Sequence, residues 1–399
     1  MNAYLINGTR TAIGSLGGSL CSARPDDLAA AALQALMAPY SLDATQITDL
    51  ILGCANQAGE DNRNIARMAL LLSGLPHTIP AETVNRLCAS GMSAVMHAAR
   101  LLHCQDGNLA IAGGVESMTR APYVLSKTTQ AYGRDAQLYD TTFGWRFINP
   151  KLQQLYGTDS MGQTAENIAE QHKISRADQD LFAYNSQQKA AKAQENGYFD
   201  AEIAPYALTQ KNKEPIFFKQ DEFIKPHTTL EKLSTLKPSF NPQGTVTAGN
   251  ASGLNDGAAA ILMASEQGLK DHNLTPIAQI IGSAVIGNQP SIMGIAPVKA
   301  TQLALQKANL TLKDIDIIEL NEAFAAQSLG CIRLLGLPDS DPRLNPQGGA
   351  IALGHPLGMS GARIILSAAM QLKRTKKKYA LCTMCVGVGQ GYAVVLQSI

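Results

Sequence analysis

The sequence lacks the features that would place it in a membrane, outside the cell or on a nucleic acid. No apolar run reaches the ~20 residues that cross a bilayer. The opening Met1-Asn2-Ala3-Tyr4-Leu5-Ile6 has no basic segment followed by an apolar one, so no secretory leader is read there. Gln397-Ser398-Ile399 is not a peroxisomal address. A cytoplasmic protein is expected. Charge of neither sign dominates: 33 Lys and Arg oppose 32 Asp and Glu, for a net +1. No global field calls for a polyanionic partner. The densest basic run, Lys373-Arg374-Thr375-Lys376-Lys377-Lys378, lies between a helical pattern and an apolar strand and reads as a solvated helix end. Neither nucleic acid nor membrane is expected as a partner. There is one tryptophan. The seven cysteines are odd in number and scattered through 399 residues, too large a chain to need staples, so they read as reduced thiols.

What is present is core. Hydrophobic residues make up 45% of the chain, and 34 glycines suggest tight packing of helices on sheet. The length fits two domains or one duplicated unit. Residues 3–7 read as a strand, Asp26–Met37 as a helix with Asp26 or Asp27 at its N-cap, and Leu50–Cys54 as a strand. Asn64–Leu72 reads as a helix and Leu109–Gly114 as a buried strand ending in glycines. Strands alternating with helices argue for an α/β fold with a largely parallel sheet.

The rhythm breaks near residue 118 and returns near 250. The intervening text is polar and rich in turn formers, with helical pieces at Thr164–His172 and Arg176–Glu195 and a charged stretch at Lys211–Lys237. It reads as an insertion of the kind that carries substrate or subunit contacts. Beyond it, strand Ala278–Ile281, helix Ala296–Ala308 and strand Asp314–Leu320 echo the opening order. Helix Gly358–Leu372 and strand Tyr379–Cys382 echo the helix and strand that follow residue 88. The division drawn from this is 1–117 plus 251–270 for one half, 118–250 for the inserted loop domain and 271–399 for the other half.

Four stretches carry chemistry. Asn85-Arg86-Leu87-Cys88-Ala89-Ser90-Gly91 sets a cysteine between a strand end and a helix whose apolar face is Met92, Val95, Met96, Ala99 and Leu102. Free N–H groups and the helix dipole there favour thiolate, the nucleophilic form. Packing is the competing reading, since free cysteines are often buried filler. His355 lies in the turn Gly348–Gly358, where an imidazole can act as a base near neutral pH, or serve only structure. Cys382-Thr383-Met384-Cys385 ends a strand ahead of Val386-Gly387-Val388-Gly389. No second Cys/His pair completes a zinc site, and a redox C-x-x-C would open a helix. Cys385 as acid/base with the Gly387 N–H as donor fits better. Asn321, in Glu319-Leu320-Asn321-Glu322-Ala323, either caps a helix or presents its amide to a water or carbonyl. Gly244–Gly257, rich in glycine, serine and asparagine, is neither a P-loop nor a dinucleotide turn but can wrap a polar ligand.

Together N-R-L-C-A-S-G at 85–91, N-E-A-F-A at 321–325, G-G-A-I-A-L-G-H-P-L-G-M-S-G-A-R at 348–363 and C-x-x-C-V-G-x-G-Q-G at 382–391 resemble the four signatures of the thiolase family. V-T-A-G-N-A-S-G-L-N-D-G-A-A at 246–259 resembles its coenzyme A loop. The match is collinear from Thr9 to the C-terminus. The resemblance implies two βαβαβαββ halves in a five-layer α-β-α-β-α core, an inserted loop domain, and a homo-oligomer, either a dimer or a dimer of dimers. It implies Cys88 as acylated nucleophile, His355 as its base and Cys385 as the acid/base at the α-carbon of acetyl-CoA. Asn321 would hold a water that, with His355, faces the enolate oxygen. The N–H groups of Cys88 and Gly387 would form a second oxyanion hole. Ser252 would contact pantetheine, with Ala248, Lys225, Met161 and Met293 as further CoA or substrate positions. Coenzyme A would be co-substrate, with no permanently bound cofactor and no metal.

Short-chain acetoacetyl-CoA thiolases carry a His-Met pair where this chain has Ser160-Met161, and G-P-V-P where it has Ala296-Pro297-Val298-Lys299. Gly53–Asn64 and Asp140–Pro150 look more like thiolases that act on 3-oxoadipyl-CoA in aromatic-compound degradation. Such a substrate ends in a carboxylate, for which Arg146, Arg134 and Arg63 are the candidate partners. The alternatives are an acetoacetyl-CoA or general 3-ketoacyl-CoA thiolase and, more remotely, a thiolase-like CoA or lipid binder without turnover.

Overall fold

The computed structural model describes residues 3–210 and 213–399; Met1, Asn2, and Lys211 and Asn212 of the charged stretch lie outside the described residues. Strand Leu109–Ser117 shows how the fold is assembled. Its side chains alternate, so Leu109 and Ile111 face one layer while the small Ala110 and Ala112 face another. Its neighbours are Asn255–Ala264, antiparallel, and Ile47–Gly53, parallel; Ala81–Val84 adds a parallel edge. Strand Ala3–Arg10 completes this half by pairing antiparallel with Asn255–Ala264.

The second half repeats the plan. Tyr379–Val386 pairs parallel with Ile317–Leu320 and antiparallel with Gln390–Ser398, which pairs antiparallel with Ala278–Gly287. A parallel bridge from Ile318 to Leu344 occupies the place that Ala81–Val84 holds in the first half. The halves join where Ala3–Leu5 pairs antiparallel with Ala278–Ile280.

Both halves cover one central helix pair, Ser90–His103 and Leu357–Thr375. Helices Pro25–Met37 and Ile65–Leu72 cover the outer face of the first half, and Ala296–Lys307 and Ala325–Leu334 that of the second. The result is five layers, α-β-α-β-α, as the resemblance implied. The central helices touch at glycine: a Cβ on Gly91 would lie 2.5 Å from the carbonyl oxygen of Gly358. That contact brings the starts of both helices, and the turns before them, to one point.

The expected largely parallel sheet is instead mixed: Ile47–Gly53 is parallel to its two neighbours and Ile317–Leu320 to Tyr379–Val386, while the other pairs of the large sheet are antiparallel, one of them closed by the short connection from Val386 to Gln390. Three local expectations also change. Helix Pro25–Met37 is entered through Arg24, so Asp26 and Asp27 lie inside its first turn, where Arg24 pairs with Asp26 at 2.9 Å. The strand expected from Asp314 starts at Ile317, because Thr311 and Asp314 close a capping box around a short 3-10 turn. Asn321 opens no helix. Its N–H bonds to the Thr383 carbonyl at 3.0 Å, which keeps the chain extended until helix Ala325–Leu334 begins.

Candidate active site

The nucleophile turn is built by its own side chains. After strand Ala81–Val84, the Asn85 amide donates to the Ala55 carbonyl at 2.9 Å, and its oxygen accepts the Leu87 N–H at 2.8 Å. Leu87 sits at φ 46°, a left-handed conformation rare for a branched residue and held here by its neighbours. Ser90 locks the turn from below, accepting the Arg86 N–H at 2.9 Å and donating to the Leu87 carbonyl at 2.7 Å. Cys88 therefore projects from a 3-10 turn, Leu87–Ala89, that leads into helix Ser90–His103. Arg86 ties this turn to Gln390 at 2.8 Å, on the hairpin that carries Cys385 and Gly387.

That hairpin turns through the three residues Gly387–Gly389 between the paired Val386 and Gln390, with Val388 at φ 61° and Gly389 at φ 82° both left-handed. Gly387 precedes them and aims its backbone N–H at the Cys88 sulfur, alongside the N–H of Cys88 itself. These donors lower the Cys88 pKa, but burial is larger and pushes the thiol up to about 11. Although solvent reaches part of Cys88, protein mass surrounds its sulfur. The pull of these N–H groups toward thiolate is thus outweighed by burial, and the proton that His355 would take is still on the sulfur near neutral pH. Burial also raises the Cys385 thiol well above its ordinary value, with Cys88 adding to the effect.

His355 follows Gly354, whose φ of 102° swings the chain back toward the centre. Its N–H donates to the Asn255 side-chain oxygen at 2.9 Å, and its Nδ1 lies 2.6 Å from Ser360 Oγ. Its Nε2 lies 3.4 Å from the Asn321 side-chain nitrogen. Burial, with the Arg363 guanidinium nearby, lowers the His355 pKa to about 3. The imidazole is neutral and free to accept a proton.

Cys88, His355 and Cys385 share the wall of a cavity of about 470 Å³, which Ser252, Ala248, Met161, Met293 and Lys225 also line. Asn321 stands behind His355, fully buried. A second cavity of about 210 Å³ opens from the other side of Cys88, lined by Gly387, Phe143, Trp145 and Arg146. Arg146 donates through Nη2 to the Asn56 side-chain oxygen at 2.9 Å. Arg134 and Arg63 are exposed and line neither cavity, so the structure does not bring them to this site. A third hollow of about 500 Å³, reached past Lys225, is bordered by His227 and Lys232.

Cys382 and Cys385 leave opposite faces of their strand: Cys382 lies in the central core and Cys385 at the cavity. That arrangement suits neither a disulfide between them nor a shared metal. Three groups with little signature in the sequence complete the site. Glu116 accepts N–H groups from Ala55 at 3.0 Å, Asn56 at 3.0 Å and Gly358 at 2.8 Å, and burial pushes its carboxyl up to about 7. It fastens the second cavity's wall to the helix after His355. Asn255 and Ser360 hold His355 itself. Ser360 lies within the 348–363 signature and Asn255 within the 246–259 loop, but only the folded turns show which atoms they touch.

Residues 3–267 match the family model for the thiolase N-terminal domain, and 274–398 that for the thiolase C-terminal domain. The chain belongs to the thiolase family and is an acyltransferase. It is 56% identical to the 3-oxoadipyl-CoA/3-oxo-5,6-dehydrosuberyl-CoA thiolase of Escherichia coli (strain K12), covering 100% of this chain and 99% of that protein. It is 54% identical to the beta-ketoadipyl-CoA thiolase of Acinetobacter baylyi, over 100% of both. Human mitochondrial 3-ketoacyl-CoA thiolase in complex with CoA superposes with a TM-score of 0.92 at 41% identity, covering 100% of this chain and 98% of that one.

Proposed function

We propose that the protein cleaves 3-oxoadipyl-CoA with coenzyme A, giving succinyl-CoA and acetyl-CoA by a ping-pong route through acyl-Cys88. The observation that carries the choice of substrate is Arg146. Its guanidinium borders the cavity beside Cys88, and among the described residues only Nη2 is engaged, by Asn56. Such a group is suited to a substrate's terminal carboxylate. The relatives named for 3-oxoadipyl-CoA support the same choice.

The chemistry follows from neutral partners. As the Cys88 sulfur attacks the C3 ketone, its proton passes to His355 Nε2. The backbone N–H groups of Cys88 and Gly387 receive the tetrahedral oxyanion. Collapse breaks the C2–C3 bond and expels an acetyl-CoA enolate, whose oxygen is held by His355 and a water on Asn321. Cys385 gives the enolate carbon its proton. Coenzyme A then gives its thiol proton to the Cys385 thiolate, attacks the thioester and takes the succinyl group, while His355 returns its proton to the departing Cys88 sulfur. Ser252 and Ala248 suit the pantetheine arm, and Lys225, His227 and Lys232 suit the phosphates at its far end. We read the assembly as a dimer or a dimer of dimers. The exposed side chains of Tyr123, Leu125 and Leu138, on the small hairpin of the inserted segment, support subunit contact.

Thiolysis of 3-oxoadipyl-CoA and acetoacetyl-CoA, compared in the wild type and Arg146→Ala, tests the reading. The wild type should prefer 3-oxoadipyl-CoA. The variant should lose about 10- to 100-fold in kcat/KM for it and little for acetoacetyl-CoA. A wild type that cleaves acetoacetyl-CoA equally well would sink the dicarboxylate assignment.

A further inference from the structure

We infer that Ser360 is a positioning residue that fixes which nitrogen of His355 carries the proton. Ser360 Oγ lies 2.6 Å from His355 Nδ1 and 2.8 Å from the Pro356 carbonyl oxygen. A hydroxyl has one proton and a carbonyl only accepts. With the Ser360 proton on Pro356, its lone pair faces Nδ1, and Nδ1 must be the protonated nitrogen. The neutral ring then keeps its lone pair on Nε2. A second observation agrees: the Asn321 amide nitrogen, a donor, is what faces Nε2, at 3.4 Å. Ser360 is wholly buried, so its hydroxyl has only the Pro356 carbonyl and Nδ1 to serve.

The arrangement serves both states of the base. In the neutral state, Nε2 is ready for the Cys88 proton. Once Nε2 is protonated, the chain from Nδ1–H through Ser360 Oγ–H to the Pro356 carbonyl stands unchanged. No group has to turn, and the carbonyl dipole faces the new positive charge. The opposite tautomer would present an N–H where a lone pair is required. Ser360 touches no reacting atom and acts only through His355.

The inference rests on His355 being the base for Cys88, and the test separates the two. Enzyme labelled with 15N-histidine is compared as wild type, Ser360→Ala and Ser360→Thr, with His355→Gln used to identify the His355 signals. In parallel, acetyl transfer from acetyl-CoA to Cys88 is timed by intact-protein mass spectrometry. The wild type should show a proton on Nδ1 and none on Nε2. Ser360→Ala should mix the tautomers and slow acetylation about 10- to 100-fold, with CoA affinity within about twofold of wild type. Ser360→Thr, which keeps the hydroxyl, should restore both signals. A wild-type proton on Nε2 would overturn the inference, as would a Ser360→Ala enzyme with wild-type tautomer and acetylation rate. If Ser360→Ala does not fold, Ser360→Cys, a weaker hydrogen-bonding group of similar size, replaces it with the same expected order of rates. If His355→Gln acetylates Cys88 at the wild-type rate, the base assignment falls, while the tautomer signals still judge Ser360.

Discussion

Gly387 faces Leu87 so closely that a Cβ on the glycine would lie 3.2 Å from Leu87 Cδ1. Leu87 is the left-handed residue that sets Cys88, and the Gly387 N–H points at that sulfur. A methyl group here pushes on the nucleophile and tilts its donor at once. Gly387→Ala should fold normally and slow acetylation of Cys88 about 10-fold or more, since a lost oxyanion donor costs about 10²- to 10³-fold. Intact-protein mass spectrometry after mixing with acetyl-CoA measures it.

Burial holds the Cys88 thiol at about 11. Its thiolate fraction should rise about tenfold per pH unit between pH 7 and 10. Alkylation of the free enzyme by iodoacetamide should follow that slope. A plateau already at pH 8 would mean that His355 holds the sulfur's proton in the resting enzyme.

His355 is held neutral, with its pKa lowered to about 3 from an ordinary 6.5. The unfolded chain binds the proton that the folded one refuses, so the folded state loses stability as pH falls from about 6.5 toward 3. By pH 4.5 this should amount to about 2–3 kcal/mol. Melting curves should therefore show the wild type losing more on acidification than His355→Gln. Parallel losses in the two proteins would contradict the lowered pKa.

Cys382 and Cys385 should part company on substitution. Cys382→Ala removes a sulfur from the central core, where it bonds weakly to the Ile364 carbonyl at 3.5 Å, and should cost stability while sparing turnover. Cys385→Ala should leave Cys88 open to acetylation but slow carbon–carbon cleavage by about 10²-fold or more. An active Cys385→Ala enzyme would remove the proposed acid.

Asn56 should matter for substrate choice without touching the reaction. It holds Arg146 through both its oxygens, at 2.9 and 3.3 Å, and its own N–H is held by Glu116. Asn56→Ala should raise KM for 3-oxoadipyl-CoA about 10-fold and leave kcat nearly unchanged. An equal effect on acetoacetyl-CoA would point instead to a general disturbance of the pocket.

Much of this was legible before folding because the decisive residues sit where the chain changes direction. Cys88, His355 and Cys385 each lie at a strand end or a glycine-rich turn, and such turns leave a local mark. The alternation in Leu109–Ala112 marks its strand in the same way. Ser360 lies within the 348–363 signature, but its letter does not say which atom it touches, and Glu116 leaves no mark. Glu116 acts through atoms that meet only after packing, gathering N–H groups from residues 55, 56 and 358. The three loop arginines were equivalent as letters. Arg146 differs from Arg63 and Arg134 through a contact with Asn56, 90 residues away in the chain. The balance at Cys88 was hidden for a related reason: the helix start that favours thiolate was visible, but the depth of protein that opposes it was not.

Strand Ala3–Arg10 has its partners at Asn255–Ala264 and Ala278–Gly287. At about 5–20 residues per second of synthesis, it waits on the order of 10–50 s on the ribosome before either neighbour exists. Until then, both its edges are bare and able to pair with a stranger. The strand that joins the two halves is thus also one of the nascent chain's longest-exposed edges. Recovery of the protein from cells should depend on translation speed and chaperone supply more than its finished core would suggest.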